Sequence, residues 1–171
     1  YSDTDNYLEK NYPYPQNITA VSLDDFTKFK ERYPGVKILK ADGRELPFEN
    51  DSFSIAYSNA VIEHVGDRVS QIKFLSELYR VSRHGYLTTP NALFPIEIHT
   101  RIPLLHIFLP RVWFDAVLRF IGKGWAAGDY MHLLSERQLR KLFHEAGITR
   151  YEFTKNRFWG IPMTFTIVWH K

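Results

Sequence analysis

Short hydrogen-bonding residues recur in this sequence directly after runs of apolar and β-branched residues, and their types are those that hold a polar ligand. Asp42-Gly43 follows the run Val36 to Ala41, Ser58-Asn59 closes the run that starts at Phe53, and Pro90-Asn91 follows His84 to Thr89. Carboxylate, hydroxyl and amide groups together supply acceptors and donors. A glycine beside them lets a ligand approach the backbone closely. Shortly after the second of these sites, Glu63-His64 offers an imidazole, which titrates near neutral pH and suits a general base. Glu97 and His99 stand two apart in a proline-rich stretch, so in an extended chain they share one side and can line an acceptor pocket together with Asn91. No third ligand lies near that pair in the sequence, so no metal site is expected there.

Each of these groups has a structural alternative. Asp42 could be a turn or helix-cap aspartate, and Ser58-Asn59 a simple strand-to-helix cap. His64 could hold its helix by a polar contact. His106, His132 and His144 read as surface or packing residues.

The elements that would position these residues alternate. Thr4 to Asn11 reads as a short helix, Ile18 to Leu23 as a buried strand, Asp24 to Tyr33 as a helix stopped by Pro34-Gly35, and Val36 to Ala41 as the next strand. The strand Phe53 to Ser58 leads into a helix from Asn59 to His64, which Gly66-Asp67 interrupts. A longer helix runs from Arg68 to Ser82, with Val69, Ile72, Leu75 and Tyr79 on one face at helical spacing, a stripe suited to core packing. Strand-helix alternation argues for an α/β fold with a mostly parallel sheet, whose carboxyl strand ends open a crevice for ligands.

Residues 91–130 break that rhythm as a helical insertion or lid, with prolines at 95, 103 and 110. Arg111 to Gly122 reads as amphipathic, with Trp113, Val117, Phe120 and Ile121 together. It is open to three uses: a lid packed on the domain, a face for a homodimer or other partner, or a peripheral membrane contact. Gly122 to Gly128 approaches the dinucleotide fingerprint but lacks the strand that must precede it. Ser135 with Gln138 forms a capping box for a helix over Glu136 to Ala146, which Gly147 stops. Ile148 to Asn156 and Pro162 to His170 then read as a C-terminal antiparallel hairpin.

Composition narrows the classes. The 171 residues suit one domain, and 44% hydrophobic with 24% charged residues excludes a disordered chain. A net charge of +3, with basic residues scattered, does not indicate a nucleic-acid partner. The lack of cysteine removes disulfides and thiol chemistry and fits a reducing, cytoplasmic setting.

The order strand, Asp42-Gly43, Leu46-Pro47-Phe48, Asn50-Asp51-Ser52-Phe53, strand, Ser58-Asn59-Ala60, Glu63-His64 resembles the middle of a class I S-adenosylmethionine-dependent methyltransferase of the type 11 group. Similarity of element order covers roughly residues 18 to 171. The resemblance implies a Rossmann-like three-layer sandwich closed by an antiparallel hairpin. It also implies S-adenosylmethionine as cofactor and methyl transfer to a small-molecule or lipid-linked acceptor. Asp42 would accept from the adenine amino group, with the N–H of Gly43 reaching a ring nitrogen, and Ser58 and Asn59 would lie beside the methionine portion. The family's first strand and glycine-rich loop come before a helix like the one near the start here, which implies a missing first strand upstream and makes Ser2, Asp3 and Thr4 the tail of that loop. Family members place an acid for the ribose hydroxyls where this chain has Ser22, with Asp24 and Asp25 slightly later. Leu23 beside it packs either on the adenine face or in the core. The serine at that place and the absent glycine loop motivate the rival reading, a non-catalytic binding or scaffold domain that kept the sheet and lost the cofactor.

Overall fold

The computed structural model describes residues 7–97, 99–128 and 131–171. Asp3, the expected tail of the glycine loop, lies outside the described residues. The chain divides into two compact units, Tyr1–Pro47 and Phe48–Lys171.

In the first unit the elements are α1 (Tyr7–Asn11), β1 (Thr19–Ser22), α2 (Thr27–Arg32) and β2 (Lys37–Lys40). β1 and β2 pair in parallel from Thr19 opposite Lys37 to Ser22 opposite Lys40. Their carboxyl ends therefore share one edge. The helix is shorter than the expected Asp24 to Tyr33 because the Asp25 carboxylate accepts from the Thr27 N–H and hydroxyl, at 3.0 and 2.7 Å. Asp25 thus forms a turn ahead of the helix instead of its first turn, a competition that short polar side chains often win.

The second unit holds β3 (Phe53–Asn59), α3 (Arg68–Val81), β4 (Ser82–Pro90), α4 (Leu105–Phe108), α5 (Arg111–Phe120), α6 (Glu136–Glu145), β5 (Tyr151–Phe158) and β6 (Ile161–His170). Its sheet runs β3-β4-β6-β5. β4 is parallel to β3 and antiparallel to β6, and β5 closes the expected antiparallel hairpin with β6. The described strands thus form one parallel pair and one mixed sheet, an α/β arrangement in which β6 supplies the antiparallel neighbours. Trp159 and Gly160 turn the hairpin with positive φ at both residues, 49° and 80°. That geometry matches the right-handed twist of the flanking strands.

The core of this unit lies between the sheet and helices α3 and α6. Phe74 and Leu75, then Leu139, Leu142 and Phe143, pack against Leu87, Phe165, Ile167 and Trp169. Full burial of each such side chain contributes about 1.5–3 kcal/mol. Leu75 is in the core as expected and Ile72 and Tyr79 pack against it, whereas Val69 is exposed and Phe74 and Gln71 take the buried places instead. The stripe is rotated because Gln71 is drawn inward, its amide donating to the carbonyls of Ile62 and His132 at 3.2 and 2.9 Å. The capping box forms as read, with Ser135 and Gln138 bonding reciprocally, and Gly147 ends α6 at φ 76°.

The expected helix over Asn59 to His64 is not present. β3 continues through Asn59, and Ile62–His64 alone make a 3-10 turn. Within 91–130, α5 buries Phe114 and Leu118 against Ile102, Ala126 and Met131, and the buried Asp115 carboxylate accepts from the Gly128 N–H at 3.0 Å. Of the expected apolar set, Trp113, Phe120 and Ile121 are exposed instead. Gly124–Ala126 form a 3-10 turn that follows this helix and not a strand, so the dinucleotide fingerprint lacks its context. Among the described residues no helix is long and apolar enough to cross a membrane.

Candidate functional site

The candidate groups occur as one set in each unit. In the first, Asp42 and Leu23 stand just past the ends of the two paired strands, at the edge those ends share. Leu23 is 59% exposed, so it is not the core leucine of the alternative reading. The Asp42 carboxylate is gripped by its own loop. Arg44 Nε meets both oxygens at 3.0 Å, Nη2 meets Oδ2 at 2.6 Å, and the Arg44 N–H donates to Oδ1 at 2.9 Å. The Arg44 side-chain bond holds the Asp42 carboxyl below its ordinary range, so it is an ionised acceptor. A carboxylate has about four lone-pair sites, and a partly exposed one keeps capacity for another donor. Gly43 follows in the same turn. The Ser22 hydroxyl accepts from the Asp24 N–H at 3.1 Å, a local turn contact.

These features fit an adenosyl group: an exposed apolar face sits next to an oriented anionic acceptor. The second unit, by itself, holds an orphaned donor. The Ser58 hydroxyl, near the end of β3, is buried and has no hydrogen-bond partner. A buried hydroxyl left so costs roughly 1–3 kcal/mol, which a bound polar group would recover. Next to it, the Asn59 side-chain amide oxygen Oδ1 accepts from the Thr88 hydroxyl across the parallel pair. Ala60 then takes a left-handed φ of 53°, a strained turn of the kind found at ligand sites.

Beyond that turn, four titratable groups converge that the sequence separates by more than thirty positions. His64 Nε2 lies 3.3 Å from His99 Nε2, with the rings nearly perpendicular. The loop carrying His99 closes through Glu97, whose N–H donates to the Ile102 carbonyl at 3.0 Å and whose carbonyl accepts from the Arg101 N–H at 2.6 Å. The Glu97 carboxylate fills this loop, with Oε1 2.9 Å from both the N–H and Nδ1 of His99 and Oε2 2.5 Å from the Thr100 N–H. Burial alone would raise the Glu97 pKa, but those bonds prevail and hold it at about 2. The bond from Glu97 raises the pKa of His99 in turn. Glu63 is fully buried, which pushes its carboxyl up. Its Oε2 accepts from the Thr89 hydroxyl at 3.0 Å, while Oε1 has no partner.

A cavity of about 280 Å³ opens among Glu97, His106, Arg111, Phe114, Met131 and His132. Burial lowers the pKa of His106, which keeps it neutral in the wall. Asn91 does not line this cavity; its side chain accepts from the Leu93 N–H at 3.0 Å and donates to the Pro162 carbonyl at 2.8 Å, and so acts as a loop clasp. The sequence singled out Glu97, His99 and His64, of which Glu97 lines the cavity and His99 does not, but it did not single out Thr89 as a partner or the burial of Glu63. The signal available was the short distance from Thr89 to the polar end of its strand.

The family profile described as a methyltransferase domain matches residues 5–88. No curated protein matches the chain. Among solved structures, a S-adenosylmethionine-dependent methyltransferase from Methanosarcina mazei is similar at 15% identity and a TM-score of 0.56, over 90% of this chain and 81% of that one. A Thermotoga maritima methyltransferase described as a possible histamine N-methyltransferase is 17% identical with a TM-score of 0.57, over 90% of this chain and 72% of its own. The Burkholderia thailandensis 1,6-didemethyltoxoflavin-N1-methyltransferase, solved with S-adenosylhomocysteine, is 14% identical with a TM-score of 0.54, over 91% of this chain and 61% of its own. At these identities the likeness concerns the fold.

Proposed function

We propose that the chain, whose residues 5–88 match the methyltransferase-domain family, is a class I S-adenosylmethionine-dependent methyltransferase of the type 11 group, and that it methylates an oxygen, nitrogen or carbon of a small or lipid-linked acceptor. When bound, the cofactor supplies an activated methyl on a sulfonium, so the chain's own residues need to bind, align, exclude water and move a proton.

In this reading Asp42 accepts from the adenine amino group, Gly43 gives its N–H to the ring, and Leu23 covers one face. Ser58 and Asn59 serve the methionine portion. The observation that carries the reading is the pairing of an exposed leucine with an ionised carboxylate on one strand edge. Calorimetric titration with S-adenosylhomocysteine tests it. Asp42→Ala removes a hydrogen bond to a charged group, worth about 1.5–3 kcal/mol, so affinity falls roughly ten- to a hundredfold. Unchanged affinity in Asp42→Ala and Leu23→Ala would sink the assignment.

Residues 91–130 act as the lid that selects the acceptor. The 280 Å³ cavity is at the small end of ligand sites, about 300–1,000 Å³. It would admit a small molecule or the reactive head of a larger one. His64 faces His99, so His64 does not act as an isolated base.

One observation favours the lipid-linked class. Val112, Trp113 and Phe120 are exposed on α5, with Phe120 at 92%, and Arg119 and Lys123 lie beside them. Aromatic residues with flanking cations suit an interfacial helix. Flotation with anionic phospholipid vesicles would carry the protein up, and Trp113→Asp would leave it in the pellet. Self-association lost in the same variant would assign this face to a homodimer instead.

A further inference from the structure

We propose that Glu63, His64 and His99 bind one divalent cation of the zinc type, with Glu97 as the carboxylate that orients His99. The three side chains offer ligand atoms all within 4.8 Å of one another. Their use in acceptor chemistry rests on the methyl-transfer reading, whereas the binding itself does not.

The distance between the histidines fits a shared ion. The two Nε2 atoms lie 3.3 Å apart, a separation that a long hydrogen bond between the imidazoles and a shared ion would both give. Two nitrogen ligands each about 2.0–2.1 Å from a tetrahedral zinc stand about 3.3–3.4 Å apart. The spacing of the pair is compatible with the bite of one ion. The tautomer agrees. Glu97 is an acceptor with Oε1 2.9 Å from His99 Nδ1, which commits the Nδ1 proton to it and leaves Nε2 as the ligand nitrogen. A carboxylate behind a metal-binding imidazole is the usual outer support of such sites.

Glu63 supplies an independent indication. It is fully buried, and Oε1 has no partner while Oε2 is held by Thr89. A buried carboxylate oxygen without a donor is costly, and a cation would satisfy it. Two imidazoles and one carboxylate match the ligand set of catalytic zinc, with one position left over. Without cysteine, the chain offers no thiolate set to compete. His64 and His99 are only partly buried, so that position opens toward the histidine side. Glu97, the carboxylate behind His99, also lines the cavity, so the cluster and the cavity share one wall residue. A hydroxyl on the ion would lose its proton to solvent and keep its oxygen on the metal, ready to be methylated.

The test is calorimetric titration of the chelator-treated protein with zinc chloride, followed by the visible spectrum with cobalt(II). One ion per chain and the intense absorption of tetrahedral cobalt are expected. His99→Ala and Glu63→Gln should each weaken binding at least about tenfold, and Glu97→Gln about ten- to a hundredfold through lost orientation. His84→Ala, in a second histidine pair on the sheet, should change nothing. Absence of saturable binding, equal affinity in His99→Ala, or loss in His84→Ala would each overturn the proposal. Circular dichroism identifies any variant that fails to fold, and Glu97→Gln, which keeps size and shape, then carries the test. Titration with S-adenosylhomocysteine on the same samples separates the two readings: cofactor binding without zinc sinks only this one, and zinc without cofactor only the earlier one.

Discussion

Two pairs of histidines meet ring to ring in the second unit, and they differ in what surrounds them. His64 and His99 have centroids 5.0 Å apart, and His84 and His170 are 5.1 Å apart with Nδ1 atoms at 2.9 Å. The second pair is a cross-strand neighbour pair, opposite in register on β4 and β6 and exposed to solvent. Its closeness follows from strand geometry, which brings opposed side chains within about 5 Å. The first pair joins a 3-10 turn to a distant loop, and two buried carboxylates, Glu63 and Glu97, stand with it. Nothing in strand register brings those groups together. The same contact is thus a by-product of pairing in one place and a built cluster in the other, and the carboxylates make the difference.

The strongest way to sharpen the contrast is to disturb the packing under the sheet pair. Gly85 follows His84 and faces Trp169, so close that an added Cβ would lie 1.8 Å from the indole. Gly85→Ala must displace a fully buried tryptophan, and overpacking of that kind costs about 3 kcal/mol or more. Urea unfolding should show a loss of unfolding free energy of that size; a loss below about 1 kcal/mol would mean the indole moves aside easily.

Next in size is the pair of truncations His99→Ala and His170→Ala, measured without metal. His99→Ala takes a charge-assisted bond from the buried Glu97 carboxylate, so stability should fall by about 1–3 kcal/mol. His170→Ala, at the exposed end of β6, should stay within about 0.5 kcal/mol. Equal losses would erase the distinction between the two pairs.

How much of this was legible in the sequence follows from the range of the forces involved. The capping box at Ser135, the hairpin and the β2 strand with its Asp42 end depend on neighbours a few residues away, and local pattern carried them. α3 was readable as a helix, but its buried face was set by Gln71 reaching the carbonyls of Ile62 and His132, a long-range contact that hydrophobic spacing does not encode. α5 failed in the same way. Its spacing allowed two apolar faces, and the partners at Ile102 and Met131 chose the one with Phe114 and Leu118. The cluster shows the limit most clearly. Glu97 and His99 were visible as a pair, but the partner that changes their meaning lies 35 residues earlier.

The smallest expected effect concerns a half-buried surface carboxylate, a foil for the fully buried ones. Glu136 pairs with Lys155 at 2.6 Å and Arg140 at 3.1 Å, and the Lys155 bond leads in lowering its pKa below the ordinary 4.5. A carboxyl whose folded pKa is depressed adds stability above its unfolded pKa and loses it as pH falls through the folded value. The window is therefore from about pH 4.5 downward. Because the side chain is 32% exposed, solvent screens the pair and its worth at neutral pH should be under about 1 kcal/mol. Glu136→Gln should lower the urea midpoint slightly at pH 7, the difference should shrink as pH falls below about 4.5, and added salt should shrink the neutral-pH difference. A difference that survives molar salt would mean Glu136 acts as the helix's first-turn hydrogen-bonding group more than as a charge, which would bring it closer in kind to Glu97 than its exposure suggests.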